Sequence, residues 1–131
     1  MSSRAFDSDK GVVYMEDMLA KTERINNLID YYLPLFNKRQ QDMLVYYYRE
    51  DLSLQEVANH MKITRQGVHD SLQRSINQME KTEKALRLIE KNQKHRTIMT
   101  ELQEKLRRLS AYLPPTITAE ITQIMQKFDE N

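Results

Sequence analysis

Five side chains near the middle of the chain have the types and spacing to read a nucleic acid. Arg65, Gln66, His69, Gln73 and Arg74 follow Thr64 in the segment TRQGVHDSLQR. On a helix with Val68 and Leu72 turned inward, Arg65, Gln66, His69 and Gln73 point outward with Asp70, and Arg74 lies near the flank. Arginine suits the acceptor edge of guanine and glutamine the edge of adenine, while a nearby arginine can reach phosphate. The first residues of such a helix are the ones that enter a major groove. The competing reading is that any solvated helix carries a polar outer face.

Catalysis is poorly served. His60, His69 and His95 lie far apart, and Glu56–His60 at i,i+4 lacks the further ligands of a metal site. The chain holds no cysteine, which excludes thiolate zinc sites and cysteine nucleophiles. Two glycines, Gly11 and Gly67, cannot build a glycine-rich phosphate cradle. No enzymatic activity, metal or cofactor is expected.

The elements that must position the five side chains form a helix-turn-helix over Leu52–Leu72, LSLQEVANHMKITRQGVHDSL. Its steep crossing needs a small residue where the backbones approach, and Ala58 stands there. Leu54, Val57 and Met61 line the first helix, Ile63 the turn, and Val68 and Leu72 the second helix. Ser53 and Glu56 form a capping box at the start of the first helix, roughly Leu54 to Met61. Thr64 can cap the second, beginning at Arg65. Glycine is usual in the turn; the matching position here holds Lys62 or its neighbour, a non-glycine residue at positive φ.

Upstream, Met18, Ile25, Leu28 and Tyr32, widened by Leu19 and Ile29, predict an amphipathic helix from about Asp17 to Leu33, ended by Pro34. Asn37, paired with Gln40, caps a second helix carrying Met43, Leu44, Tyr47 and Tyr48. Downstream, Leu72, Ile76, Met79 and Leu86 form one stripe; Met99, Leu102, Leu106, Leu109 and Leu113 form another. Unbroken, this arm would be a rod of about 69 Å, so a bend or break is expected in Asn92–Thr97. Pro114-Pro115 ends it, and Thr116 or Thr118 caps a last helix with Ile117, Ile121, Ile124 and Phe128 on one face.

Taken together, KTERINNLIDYYLPLFNKRQ (21–40), YYREDLSLQEVA (47–58), ITRQGVHDSLQRS (63–75) and EKTEKAL (80–86) resemble the YlxM-like family. These are small helix-turn-helix proteins of Gram-positive bacteria, similar to region 4 of sigma factors and encoded beside the signal recognition particle GTPase. The resemblance covers most of residues 18–110 and is weakest over Leu113–Asn131. Gly67 stands where alanine is expected, and His69 where tyrosine is. Glycine inside a helix costs about 1 kcal/mol relative to alanine. The resemblance implies an all-α fold: a sigma-region-4-like helix-turn-helix bundle with a long C-terminal helical arm. It also implies a DNA-binding regulatory protein that takes part in the signal recognition particle pathway. The alternative is an interaction module without DNA binding, contacting the signal recognition particle GTPase or its RNA.

The organisation expected is a disordered leader or non-native start at 1–14, a helix-turn-helix domain at 15–80, and a helical arm at 81–131 that is a candidate dimerisation element. Two heptads in Met99–Leu113 suggest a homodimer. Tyr46-Tyr47-Tyr48 invites base stacking, but the three point apart on a helix, which favours core packing.

The total charge of +1, from 20 Lys+Arg and 19 Asp+Glu, hides a distribution. Residues 81–96 carry six basic side chains (Lys81, Lys84, Arg87, Lys91, Lys94, Arg96) against Glu83 and Glu90. Lys62, Arg65 and Arg74 lie just upstream. Lys62, Arg74, Lys81 and Lys84 are therefore candidates for phosphate contact, with DNA first and RNA second as partner. An exposed face of i,i+4 ion pairs explains the same run. No apolar run approaches a membrane span, no secretory signal is visible, and a cytoplasmic protein is expected.

Overall fold

The computed structural model describes the backbone of residues 12–129 and the side chains of residues 21–129. Among the described residues every regular element is helical: α1 Val12–Tyr32, α2 Lys38–Tyr48, α3 Leu54–Met61, α4 Arg65–Leu86, α5 Leu88–Leu109 and α6 Pro115–Asp129. A short 3-10 turn, Leu33–Leu35, follows α1, with Pro34 near its start. The helix thus begins at Val12, earlier than the apolar stripe alone indicated. The rest of the expected leader, residues 1–11, and the side chains of Met18 and Leu19 lie outside the described residues. The chain divides into two compact units, Met1–Ile89 and Glu90–Asn131.

The first unit is built on α4, which packs against α1, α2 and α3. Leu28, Ile29 and Tyr32 of α1 meet Leu44 of α2, Val57 of α3, and Val68 and Met79 of α4, all essentially sealed from solvent. Burial of a side chain of this size contributes about 1.5–3 kcal/mol. Tyr46, Tyr47 and Tyr48 are half-buried against this core. Tyr47 and Tyr48 meet edge to face at 4.9 Å, and Tyr46 lies 5.1 Å from His60. These rings pack with protein neighbours, as the core reading requires.

The helix ends are closed as their local sequences dictate. Asn37 Oδ1 accepts from the Gln40 N–H at 2.9 Å, and Gln40 Oε1 accepts from the Asn37 N–H. Ser53 and Glu56 make the same reciprocal pair at 3.1 and 3.0 Å. Each pair satisfies two backbone donors that a helix start leaves open.

Two expectations are corrected where α4 gives way to α5. The break in the long arm falls at Arg87, a left-handed residue at φ 56°, and not in Asn92–Thr97. Leu86, expected to face inward, is 47% exposed, and Glu83 is buried in the same region of α4. The Glu83 carboxylate accepts the Tyr32 hydroxyl at 2.5 Å and the Ile89 N–H at 3.0 Å, so it satisfies an open donor at the start of α5. The break follows from this buried acceptor, not from the phase of the leucine stripes.

In the second unit, α5 residues from Glu90 onward and α6 make a helical hairpin joined by Ser110–Pro114. Met125 is its one buried apolar side chain among the described residues, with Met99, Leu106, Leu113 and Ile121 half-buried. His95 and Phe128 meet edge to face at 5.4 Å. Neither Thr116 nor Thr118 caps α6. The helix opens on Pro115, whose fixed φ suits a first helical position, and the Pro114 carbonyl accepts from Ile117 and Thr118.

Candidate nucleic-acid interface

The interface is set by how α3 stops and α4 starts. At the end of α3 the chain turns through Lys62 in the left-handed region, φ 58° and ψ 42°. The Ala58 carbonyl accepts from both the Lys62 and the Ile63 N–H, the pattern of a left-handed helix stop. Arg39 of α2 donates to the Met61 carbonyl at 2.9 Å, satisfying a further open acceptor and tying α2 to the turn. Ala58 is buried at the crossing with Val57 and Met61.

α4 then begins at Arg65, with the Thr64 hydroxyl accepting from the Gly67 N–H at 3.0 Å. Gly67 has a physical reason to depart from alanine. A Cβ there would sit 3.0 Å from Thr64 Oγ1, so the capping hydroxyl would have to give way. The first turn of α4 holds no acidic residue, and its dipole presents partial positive charge.

Arg65, Gln66, His69, Gln73 and Arg74 are all exposed, as is Lys62 in the turn. The inward positions are filled by Val68, Leu72 and Ser75, so the first three turns bring these polar residues onto the solvent side. Lys81 and Lys84 are exposed on the same helix. They lie about 24 Å or more along the axis from Arg65, too far to share its groove position.

Asp70 is not among the side chains expected to read bases, yet its carboxylate, a type able to accept from a cytosine amino group, stands exposed among them. Its carboxylate accepts from Gln66 Nε2 at 2.9 Å and meets His69 Nδ1 at 3.3 Å. Those hydrogen bonds, the Gln66 bond foremost, hold the Asp70 carboxyl below its ordinary range. Two of the candidate base readers are therefore held by one carboxylate at the tip of the helix. Farther along, Gln73 donates to Asn77 at 3.2 Å. The i,i+4 spacing of Gln66 and Asp70 was the available signal, since such pairs are neighbours on any helix.

Among the described residues, no group of three or more His, Cys, Asp or Glu stands together as a metal site. Among them, too, no helix is long and apolar enough to cross a membrane.

A family model for YlxM / p13-like helix-turn-helix proteins matches residues 19–113. A UPF0122 protein of Shouchella clausii is 39% identical over 89 residues, spanning 68% of this chain and 82% of the relative. One from Geobacillus kaustophilus is 33% identical over 114 residues, 86% of this chain and 98% of the relative. One from Listeria monocytogenes is 34% identical over 89 residues, 68% and 81% respectively. With the left-handed turn, the capped second helix and the buried crossing all in place, the chain belongs to the YlxM / p13-like helix-turn-helix family.

Proposed function

We propose that this protein is a sequence-reading DNA-binding regulator whose contact element is the start of α4. One observation carries the reading. A turn ending in the Thr64 cap delivers Arg65, Gln66, His69 and Gln73 to solvent on a helix that α1, α2 and α3 hold from behind. Arg65 and Gln66 pair with guanine and adenine edges. Gln66 leaves Asp70 to do so, and His69 and Gln73 read adjacent positions. Lys62 and Arg74 hold phosphate, with Lys81 and Lys84 adding charge farther along.

The test is selection of a preferred duplex from a random pool, followed by affinity measurement across a salt series. Arg65→Ala with Gln66→Ala should abolish the preference, since each good pairing with a base edge is worth about 10-fold or more in discrimination. Lys81→Ala with Lys84→Ala should weaken all duplexes alike and flatten the salt slope. Unchanged binding in the Arg65/Gln66 variant overturns the reading.

One observation favours a second reading. Asp70 places a carboxylate among the candidate base readers, where phosphate would repel it, and a protein partner would not. On this reading the same face docks onto the signal recognition particle GTPase, or contacts its RNA, without binding DNA. Asp70→Ala separates the two. A DNA reader gains non-specific affinity when the carboxylate goes, whereas a protein-docking module loses co-purification with the particle.

A further inference from the structure

The second unit is an incomplete core. Its two helices each carry two adjacent apolar stripes, and only one stripe of each is used. Met99 and Leu106 of α5, seven residues apart, and Leu113 of the connection are half-buried, as is Ile121 of α6, whose Met125 is buried. The other stripes, Ile98, Leu102 and Leu109 on α5 and Ile117 and Ile124 on α6, are between 43% and 65% exposed, and Phe128, which meets His95 edge to face, is still 50% exposed. The sequence reads Met99–Leu113 as one seam with a three-four spacing. The structure splits it: one half packs within the hairpin and the other half is left open.

We propose that residues 90–131 form a dimerisation module, the open stripes of one copy covered by the same stripes of a second to complete a four-helix bundle. Three observations point to a second copy as the occupant. The open stripes repeat at seven residues, 102 to 109 and 117 to 124, the period at which helices of equal pitch interlock. The open side chains expose on the order of 500 Å² per copy, so a facing pair buries about 1,000 Å², the size at which specific interfaces begin. Charge is balanced: the unit carries seven Lys and Arg against six Asp and Glu. Glu104 is already engaged by Arg107 at 2.7 Å and Arg108 at 3.4 Å. A surface of this kind does not repel its own copy, and it offers no field to steer a strongly charged partner. A two-fold pairing of identical patches closes on itself and leaves no further sticky face. The proposal stands apart from the DNA reading.

The experiment is light scattering on the purified full chain from about 1 to 100 µM, because association is concentration-dependent. A mass of twice 15.7 kDa is expected. Leu102→Glu with Ile124→Glu alters only exposed positions and should give a monomer whose helical content and first-unit melting are retained. Should that variant unfold, a spin label on Lys105→Cys, in a chain with no other cysteine, reads the same question in the folded protein. An intermolecular dipolar coupling that vanishes on dilution with unlabelled chain is expected. A monomer at every concentration, a variant that stays dimeric, or a label with no intermolecular coupling overturns the proposal.

Discussion

The Tyr32 hydroxyl at the end of α1 donates to the Glu83 carboxylate near the end of α4 at 2.5 Å, across 51 residues of sequence. The same carboxylate accepts from the Ile89 N–H at the start of α5. One buried acid therefore links the first helix of the domain to the break at Arg87. Arg24 approaches from the same side, bound to Glu80 through two hydrogen bonds at 3.0 and 3.1 Å.

That bond should be visible in alkaline titration. Burial, then the bond to Glu83, pushes the Tyr32 hydroxyl up from 10.0 to about 12. A group whose folded value is raised stabilises the fold fully below its unfolded value and loses that contribution as pH rises through the folded one. Tyr32→Phe should therefore destabilise by about 2 kcal/mol at neutral pH. The gap to wild type should close between pH 10 and about 12. Denaturant melts of both proteins at stepped pH check this; a gap that stays constant to pH 12 contradicts it.

Lys62 sets stability against binding. A lysine in the left-handed region costs about 1 kcal/mol that glycine would not. Lys62→Gly should raise stability by about that amount, measured by urea denaturation. The same change should reduce the salt slope of DNA binding by about 1. A variant both more stable and equally salt-sensitive would remove Lys62 from the phosphate contacts.

Gly67 and Thr64 should be coupled. Alanine is the better helix former by about 1 kcal/mol, but its Cβ would press on the Thr64 hydroxyl that caps α4. Gly67→Ala alone should gain clearly less than the full difference. In a Thr64→Gly background the same substitution should gain all of it. Equal gains in the two backgrounds, from a double-mutant cycle, would show that the cap feels no pressure.

What is local in this protein can be read from the order of its residues. The caps at Asn37, Ser53 and Thr64 were legible because each joins residues three apart, within reach of a single helical turn. The left-handed turn near Lys62 and the inward Val57, Ala58, Val68 and Leu72 were legible because the helix-turn-helix crossing demands them in order. Whatever depends on distant partners was settled in three dimensions. The break moved to Arg87 because Glu83 finds Tyr32, a pairing that no periodicity encodes. The leucine stripe of α5 divided because α6 covers only one side of it. Asp70 joined the candidate interface because it holds Gln66 and His69, so that residue types chosen for their fit to bases meet a carboxylate first. Local hydrogen bonds are written in spacing, whereas burial is assigned by whichever element arrives to cover a face.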